Sequence, residues 1–440
     1  MTVEKISKKT YSLLLVLLLL LCTASCNTVD PPPDKTVLTL TLEDVSCTEA
    51  WITLTTNNLQ LPATLNLLKD NTITKTINLQ TADTLLYIDS LLPNQTYKFQ
   101  TSGIGNPASG IRSNEISITT MDTTSHDFTF ETRTFGTIGS SSLYDVAIIN
   151  EQNIWCVGEI LIADTSENGY TMYNAVHWDG SEWTLHRIMF YTFCGQQHQN
   201  AYPANAIFAF NENEIFITSG SQITHINGTT QIKTECIPVS VNKLWGTDKN
   251  NLYAVGVLGQ IARYNGTSWK KIESGTDLNI NDIWGDYNEK TGEWEILAVA
   301  SNKFFNEGNE LLYIDQFISR KLNVEGLPWS LSTVWLKSGK NYYVAGDGLY
   351  FTKIINDSWI KDSVFIPIYK DRIRGQDIND IIVCGSNGLL SHFNGFNWRH
   401  YINNELPFFS GRLLSCDLQD NLIIAVGRKN TQSIITIGKR

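Results

Sequence analysis

Charged residues are scarce in this sequence, and the basic ones form no cluster. Only 18% of the 440 residues are charged, with 33 Lys and Arg against 44 Asp and Glu, so the formal net charge is −11. An acidic chain without basic blocks lacks the attraction that drives binding to a phosphate backbone. Nucleic acid is therefore excluded as the expected partner. Hydrophobic residues make up 42% of the chain, which predicts packed cores rather than general disorder.

Long hydrophobic runs are also missing, except for one near the N-terminus. Residues 13–21 are nine apolar residues that follow a start containing three lysines. This run is too short to span a bilayer and ends in small residues, as an export signal does. The stretch that ends at Cys26 resembles a bacterial lipobox, in which the cysteine is acylated and becomes the mature N-terminus. A plain secretory signal is the alternative.

These features predict a lipoprotein signal peptide over residues 1–25, lipidation at Cys26 and a Pro-rich, semi-rigid tether over residues 26–36. We therefore expect the protein in the bacterial cell envelope, anchored by lipid, most simply at the outer membrane. The sequence leaves open which leaflet and which orientation.

Residues 37–121 alternate apolar and polar side chains in short runs separated by Asn, Gly and Pro. Such a pattern over this length predicts a small antiparallel sandwich. The stretch from Leu91 to Tyr97 contains Leu-x-Pro-x-x-x-Tyr and resembles that of fibronectin type III domains, where the Tyr forms a corner hydrogen bond. Trp51 falls where that family places a core Trp. The resemblance implies a spacer module, with direct ligand binding as the alternative.

A repeat of short strands begins near residue 140. Its marker is a glycine that ends the second apolar strand of each copy, and in one copy Ala300 takes this position. The glycines are Gly158, Gly220, Gly256, Gly346, Gly385 and Gly427. Strand-only repeats with a period near 40 residues predict a propeller-type array. The sequence therefore predicts seven copies, in a seven-bladed β-propeller over residues 127–440.

The seventh copy ends after its third strand, and residues 128–134 alternate like a strand before the first copy. We expect this segment to complete the last blade, because closing the ring removes exposed sheet edges. The region resembles bacterial secreted propellers with Trp/Gly repeats, loosely akin to WD-repeat and kelch propellers. Trp245, Trp284 and Trp335 on the inner strands are interpreted as packing between blades. The alternative is that they line a channel mouth and stack on sugar rings or peptide side chains.

Motifs for chemistry are absent from the sequence. It contains no His-Glu-x-x-His, nucleophile elbow or phosphate-binding glycine loop. His177, His225 and His392 occupy one repeat position in separate blades, so no metal site and no cofactor are predicted. Paired carboxylates on separate blades stay open as a route to a polysaccharide hydrolase or lyase.

Loop length indicates where a ligand would bind, with plain surface elaboration as the alternative. The first copy is long at residues 159–173 and 186–202, and the fourth at 301–310, and all three insertions are expected on one face. Their aromatic and amide side chains suit protein or carbohydrate recognition. The candidate residues are Tyr191, Phe193, Gln196, Gln197, His198, Tyr202, Phe304 and Phe305. Cys194 and Cys236 lie in successive connections on that face and are a candidate disulfide.

The sequence thus predicts an exported all-β protein with a fibronectin type III-like sandwich and a propeller. Its expected function is non-catalytic binding of a protein partner or a glycan at the envelope through the loop-rich face. The alternatives are a hydrolase or lyase and a scaffold subunit of an outer-membrane complex.

Overall fold

The computed structural model describes residues 35–104, 110–303, 305 and 308–440. In these residues the chain forms two compact units, one ending at Met121 and one spanning Asp122–Arg440. The predicted signal peptide, Cys26, most of the tether and Phe304 lie outside the described residues. No helix in the described part of the chain is long and apolar enough to cross a membrane.

The described residues of the first unit form seven strands in two sheets, ordered β1-β2-β5 and β4-β3-β6-β7. The strands are β1 Val37–Val45, β2 Ala50–Asn57, β3 Ala63–Lys69, β4 Thr72–Leu79, β5 Asp83–Ile88, β6 Thr96–Ile104 and β7 Ile116–Thr119. Both sheets contribute to one core, with Leu40 and Ile52 from the first sheet and Leu65 and Phe99 from the second. Alternating apolar side chains explain this packing, because every second residue of a strand faces the same side.

Tyr97 and Trp51 are the two aromatic residues of this unit on which the resemblance to fibronectin type III domains rests. The hydroxyl of Tyr97 accepts a hydrogen bond from the backbone N–H of Leu92 at 2.9 Å. Trp51 does not join the shared core, because it alternates with the core residues Ala50 and Ile52. It lies on the other face of β2, where its ring is 5.8 Å from that of Tyr87. Trp51 is thus a buried Trp, as expected at this position, although it lies outside the cluster that contains Ala50 and Ile52.

In the second unit, the residues that the structure describes form seven four-stranded antiparallel sheets, which we call blades 1 to 7. One strand, β8 Thr129–Phe135, precedes them. Blade 1 is β9 Ser142–Asn150, β10 Asn153–Ala163, β11 Tyr170–Trp178 and β12 Trp183–His186, followed by a hairpin of β13 Met189–Tyr191 and β14 Gln199–Ala201. Blade 2 is β15 Ala206–Asn211, β16 Glu214–Ser219, β17 Gln222–Asn227 and β18 Thr230–Cys236. Blade 3 is β19 Val241–Asp248, β20 Asn251–Gly256, β21 Ile261–Tyr264 and β22 Trp269–Ile272, with a short 3-10 helix at Val257–Gly259.

The remaining blades follow in chain order. Blade 4 is β23 Ile280–Asn288, β24 Glu293–Ser301, β25 Asn309–Ile314 and β26 Ser319–Lys321. Blade 5 is β27 Leu331–Lys337, β28 Asn341–Gly346, β29 Gly348–Thr352 and β30 Ile360–Lys361. Blade 6 is β31 Lys370–Asp377, β32 Asp380–Gly385, β33 Leu390–Phe393 and β34 Trp398–His400. Blade 7 is β35 Gly411–Gln419, β36 Leu422–Lys429 and β37 Gln432–Lys439, completed by β8.

The first strands of the blades form a closed ring. Each contacts the first strand of the next blade, from β9 through β15, β19, β23, β27 and β31 to β35, and β35 contacts β9 again. In blade 7, β8 pairs antiparallel with β37, with Thr132 opposite Thr436. The prediction of an all-β fold with propeller-like repeats is therefore confirmed.

The repeated glycine is explained by a close approach between two backbones. A Cβ on Gly256 would lie 1.7 Å from the carbonyl oxygen of Ser240, and one on Gly427 would lie 1.9 Å from that of Arg412. In both blades this carbonyl precedes or opens the first strand. Gly220 differs, because it has a φ of 54° and open space around it. Close approach fixes most copies of the glycine, and a left-handed turn fixes this one.

The inner-strand tryptophans lie between blades. Trp335 of blade 5 is buried, and its Nε1 donates to the carbonyl of Gly375 in blade 6 at 3.1 Å. Trp245 of blade 3 packs against Gly285 of blade 4, where a Cβ would lie 2.5 Å from the indole ring. Small residues thus give the indole rings room at the boundary between blades.

Candidate binding site at the mouth of the central channel

A cavity of about 590 Å³ opens at one end of the inner strands. We call it the mouth cavity. Its lining comes from most blades and combines amides, two cations, one carboxylate and a few apolar groups. The lining residues are Tyr144, Asn205, Asn242, Val257, Asn279, Asn281, Asn302, Lys303, Phe305, Asp371, Arg372 and Leu414.

The propeller topology explains why these residues meet. Tyr144, Asn242 and Asn281 lie near the starts of first strands, whereas Asn302 and Lys303 follow the end of a second strand. Because neighbouring strands are antiparallel, the start of a first strand and the end of a second strand lie at the same edge of a blade. The ring of first strands brings these edges together around the axis.

Buried ion pairs lie among the inner strands. The Lys243 ammonium contacts both carboxylate oxygens of Asp145 at 2.6 Å. Asp145 also accepts hydrogen bonds from the Ser415 hydroxyl and the Ile207 N–H, at 2.8 and 3.0 Å. These contacts connect blades 1, 2, 3 and 7. A buried carboxylate needs such partners to stay charged.

A second buried pair joins blades 4, 5 and 6. Both oxygens of Asp282 accept from the guanidinium of Arg374, at 2.8 and 2.9 Å. The Thr333 hydroxyl donates to the same carboxylate at 2.6 Å, and Arg372 Nη1 forms an ion pair with it at 2.5 Å. Asp282 is fully buried, and one of its two guanidinium partners, Arg372, lines the mouth cavity.

The pKa shifts agree with charged pairs at neutral pH. Burial acts to raise the pKa of Asp145, but Lys243 and Arg372 outweigh it and the pKa lies below its usual value. Burial lowers the pKa of Lys243 to about 8, although Asp145 partly opposes the shift. Asp282 behaves like Asp145, because Arg372 and Arg374 overcome the effect of burial and lower its pKa.

Lys303 and Arg372 face the mouth cavity above these pairs. Burial lowers the pKa of Lys303 to about 8, with Asp371 opposing the shift and Arg372 adding to it. Asp371 is already paired, since Arg412 contacts both of its oxygens at 2.5 and 3.1 Å. The only carboxylate in the described lining is therefore held by a cation that lies outside the lining.

Four asparagines of the mouth cavity divide into two kinds. The side-chain carbonyls of Asn205 and Asn279 accept from the backbone N–H groups of Gly220 and Leu258, at 3.0 and 3.1 Å. Their amide N–H groups have no partner among the described residues. Asn242 and Asn281 instead donate to the backbone carbonyls of Ile280 and Leu331, at 2.9 and 2.8 Å. Their carbonyl oxygens remain as acceptors.

The candidate residues of the long loops lie in two separate places. Phe305 lies at the mouth cavity and is 64% exposed. The candidates of the insertion at residues 186–202 lie instead in or next to the β13–β14 hairpin, which packs against the outer strands of blade 2. The backbone N–H of Tyr191 donates to Gln222, and its hydroxyl contacts the carbonyl of Thr234 at 3.4 Å.

The hairpin has an exposed tip and a half-buried base. Its exposed candidates are Phe193, Gln196, Gln197 and His198. Tyr202 is half-buried, and its hydroxyl donates to that of Thr192 at 3.0 Å. Cys194 at the tip forms a disulfide with Cys236 at the end of β18, with 5.8 Å between the Cα atoms. Two of the three long insertions contain strands and are therefore shorter as loops than the sequence indicates. In the insertion at residues 159–173, β10 extends to Ala163 and β11 begins at Tyr170. The insertion at residues 186–202 is largely the β13–β14 hairpin.

The three repeat-position histidines pack on neighbouring side chains. His177 stacks on Trp155 and His225 on Phe216, with ring centroids 4.3 and 5.0 Å apart. His392 is buried, and its Nε2 lies 2.8 Å from Asp380. In the described part of the chain, no group of His, Cys, Asp and Glu is arranged to hold a metal ion.

Sequence reasoning missed the charged inner positions, although they carry a signal. Asp145, Lys243 and Arg372 each lie thirteen residues before the repeat glycine of their blade. Asp282 takes the same place in blade 4 once its five-residue insertion is allowed for. Charged residues in register within apolar strands indicate side chains that meet at the axis of the ring.

Comparison with known proteins shows similarity at the level of the fold. No family model matches the chain, and no curated protein matches it. A solved structure described as "YCF48 bound to D1 peptide" is 14% identical, with a TM-score of 0.50 over 71% of this chain and 97% of that chain. The WD40 β-propeller domain of Doa1 is 11% identical, with a TM-score of 0.52 over 71% and 97%. The second unit is thus similar to WD40-type β-propellers.

Proposed function

We propose that this protein is a non-catalytic binding protein of the bacterial cell envelope that receives a segment of a protein partner in the mouth cavity. The observation that carries the proposal is the mouth cavity itself. It is about 590 Å³ in volume, lies on a rigid ring of strands, and contains unpaired amide donors and acceptors. Concave sites with a few convergent polar groups are typical binding sites.

The chemistry of the cavity favours binding over catalysis. A glycosidase needs two carboxyl groups on either side of the bond that it cleaves. Asp371 is paired with Arg412, and Asp145 and Asp282 are held by buried cations. None of these three carboxylates is placed as a free acid or base.

The comparison adds support for a protein partner. The propeller described as YCF48 is bound to a peptide, and it shares the fold of the second unit. At 14% identity this likeness does not transfer a site. It does show that a propeller of this kind can bind a chain segment.

We further propose that the first unit is a fibronectin type III-like spacer behind a lipid anchor at Cys26, at the outer membrane. The corner hydrogen bond of Tyr97 and the sheet order β1-β2-β5 and β4-β3-β6-β7 support the spacer. The sequence of residues 1–26 supports the anchor. Acylation of Cys26 in the wild type, with release of the Cys26→Ala variant from membranes, would support the anchor, and membrane retention of an unmodified protein would contradict it.

Photo-crosslinking in the native host tests the proposed function. A benzoylphenylalanine replaces Phe305 at the mouth cavity and, as a matched control, Glu289 in the turn between β23 and β24 at the opposite end of blade 4. We expect a crosslink to one protein from position 305 and none from position 289. Crosslinks to glycan alone, or the same proteins from both positions, would contradict the proposal.

A further inference from the structure

The cationic side chains at or next to the mouth cavity outnumber the described carboxylates that pair with them. Asp371 pairs with Arg412, whereas Asp282 is shared between Arg374 and Arg372. Lys303 forms no ion pair with a described residue. The cavity therefore contains one cation that forms no ion pair with a described residue, although the charge of Asp371 acts on it, and another that shares one carboxylate.

Arg372 is the stronger sign of a missing partner. Its side chain is 8% exposed, and its Nε is buried without a hydrogen-bond partner among the described residues. A buried guanidinium normally uses its five N–H groups, because leaving them unpaired has a large free-energy cost. Its Nη1 contacts Asp282 as an ion pair but without hydrogen-bond geometry. Arg372 therefore has binding capacity that the described residues do not use.

We infer that the mouth cavity binds a carboxylate of an extended peptide segment, with Lys303 and Arg372 as its cationic partners. This inference rests on the proposed function and names the chemistry of the partner segment. Charge-assisted hydrogen bonds to a carboxylate are stronger than neutral ones, and a partly dry site strengthens them further. An acidic side chain or a free chain terminus can supply the group.

The amides favour a peptide over an acidic sugar. A peptide unit offers one N–H donor and one C=O acceptor. Asn205 and Asn279 offer free donors, whereas Asn242 and Asn281 offer free acceptors, so the mouth cavity has partners for both groups of an extended backbone. The described aromatic residues of the lining are Tyr144 and Phe305 alone, which gives few faces for stacking on sugar rings.

An array of random heptapeptides with blocked termini tests the inference on the full mature chain. We expect the enriched peptides to contain Asp or Glu at one fixed position. In solution, replacing that acid with its amide should weaken binding about tenfold, and added salt should weaken the acidic peptide more than the amide peptide. A second array of peptides with free C-terminal carboxylates distinguishes an acidic side chain from a chain terminus. Binding on this array alone would assign the bound carboxylate to a chain terminus.

Substitutions in the mouth cavity test whether the preference for acidic over amide peptides arises there. Lys303→Gln should reduce the preference for acid over amide about tenfold, as should Arg372→Gln if the variant folds. Lys270→Gln is the matched control, since Lys270 is an exposed cation on the outer strand β22, and it should change nothing. Binding without acid preference, or a preference that survives Lys303→Gln, would overturn the inference but leave the proposed function standing. No peptide binding on either array, or selection of acidic sugars in a glycan array, would contradict both.

Discussion

Removing the carboxylate of Asp145 should strongly destabilise the propeller. Asp145→Ala leaves the Lys243 ammonium buried at 8% exposure without its ion-pair partner. It also removes the acceptor of the Ile207 N–H and the Ser415 hydroxyl. Breaking a buried pair by deleting one partner costs about 3–5 kcal/mol, because an uncompensated charge remains in the interior. We therefore expect a loss of that size in the free energy of unfolding.

The assay is urea unfolding followed by tryptophan fluorescence. Glu131→Ala is the control, since it breaks the ion pair with Arg133, in which both side chains are more than half exposed. Exposed pairs contribute about 0–1 kcal/mol, so this variant should stay close to wild type. Asp145→Leu combined with Lys243→Met should recover most of the stability, because neither partner of this pair is then left as an unpaired buried charge. An Asp145→Ala variant as stable as Glu131→Ala would refute the reasoning.

Three further outcomes follow from the structure. Burial lowers the pKa of His126 and of His392 below 6.5, so the folded state binds fewer protons than the unfolded state. Stability to urea should therefore fall as the pH drops from 7 to 5, and a rise would contradict this. Mass spectrometry of unreduced peptides should recover Cys194 linked to Cys236, and two free thiols would reject the pairing. Cys236→Ser should lower the free energy of unfolding by up to about 4 kcal/mol, given the 42-residue separation. Proline at both Thr132 and adjacent Arg133 should weaken the pairing of β8 with β37 and lower the propeller melting temperature, and an unchanged melting temperature would show that β8 does not close the ring.

The fold could be predicted from the sequence because its signals are local and repeated. Alternating apolar residues recur about every 40 residues, with a glycine at the second strand of every copy except the fourth, and the close approach at Gly256 explains why that glycine is needed. Trp51 is buried as expected, but alternation in β2 places its side chain on the face opposite Ile52, and resemblance to a family motif does not fix that phase.

The candidate site was harder to predict because it depends on contacts across the ring. Of the loop candidates, Phe305 lies at the mouth cavity, whereas the longest insertion folds back as the β13–β14 hairpin and contacts Gln222 of blade 2. Arg372 and Lys303 come from different blades and meet only when the ring closes. Their meeting requires the register of every blade, which a single repeat does not give.

The central claim is that a partner segment occupies the mouth cavity. Leu414→Trp tests it most directly, because Leu414 lines the cavity and has no hydrogen bond to lose with its side chain. Calorimetric titration with the crosslinked partner should show affinity lowered at least about tenfold, while Lys270→Trp on β22 should bind like wild type. Unchanged affinity in Leu414→Trp, with the fold intact, would contradict the account.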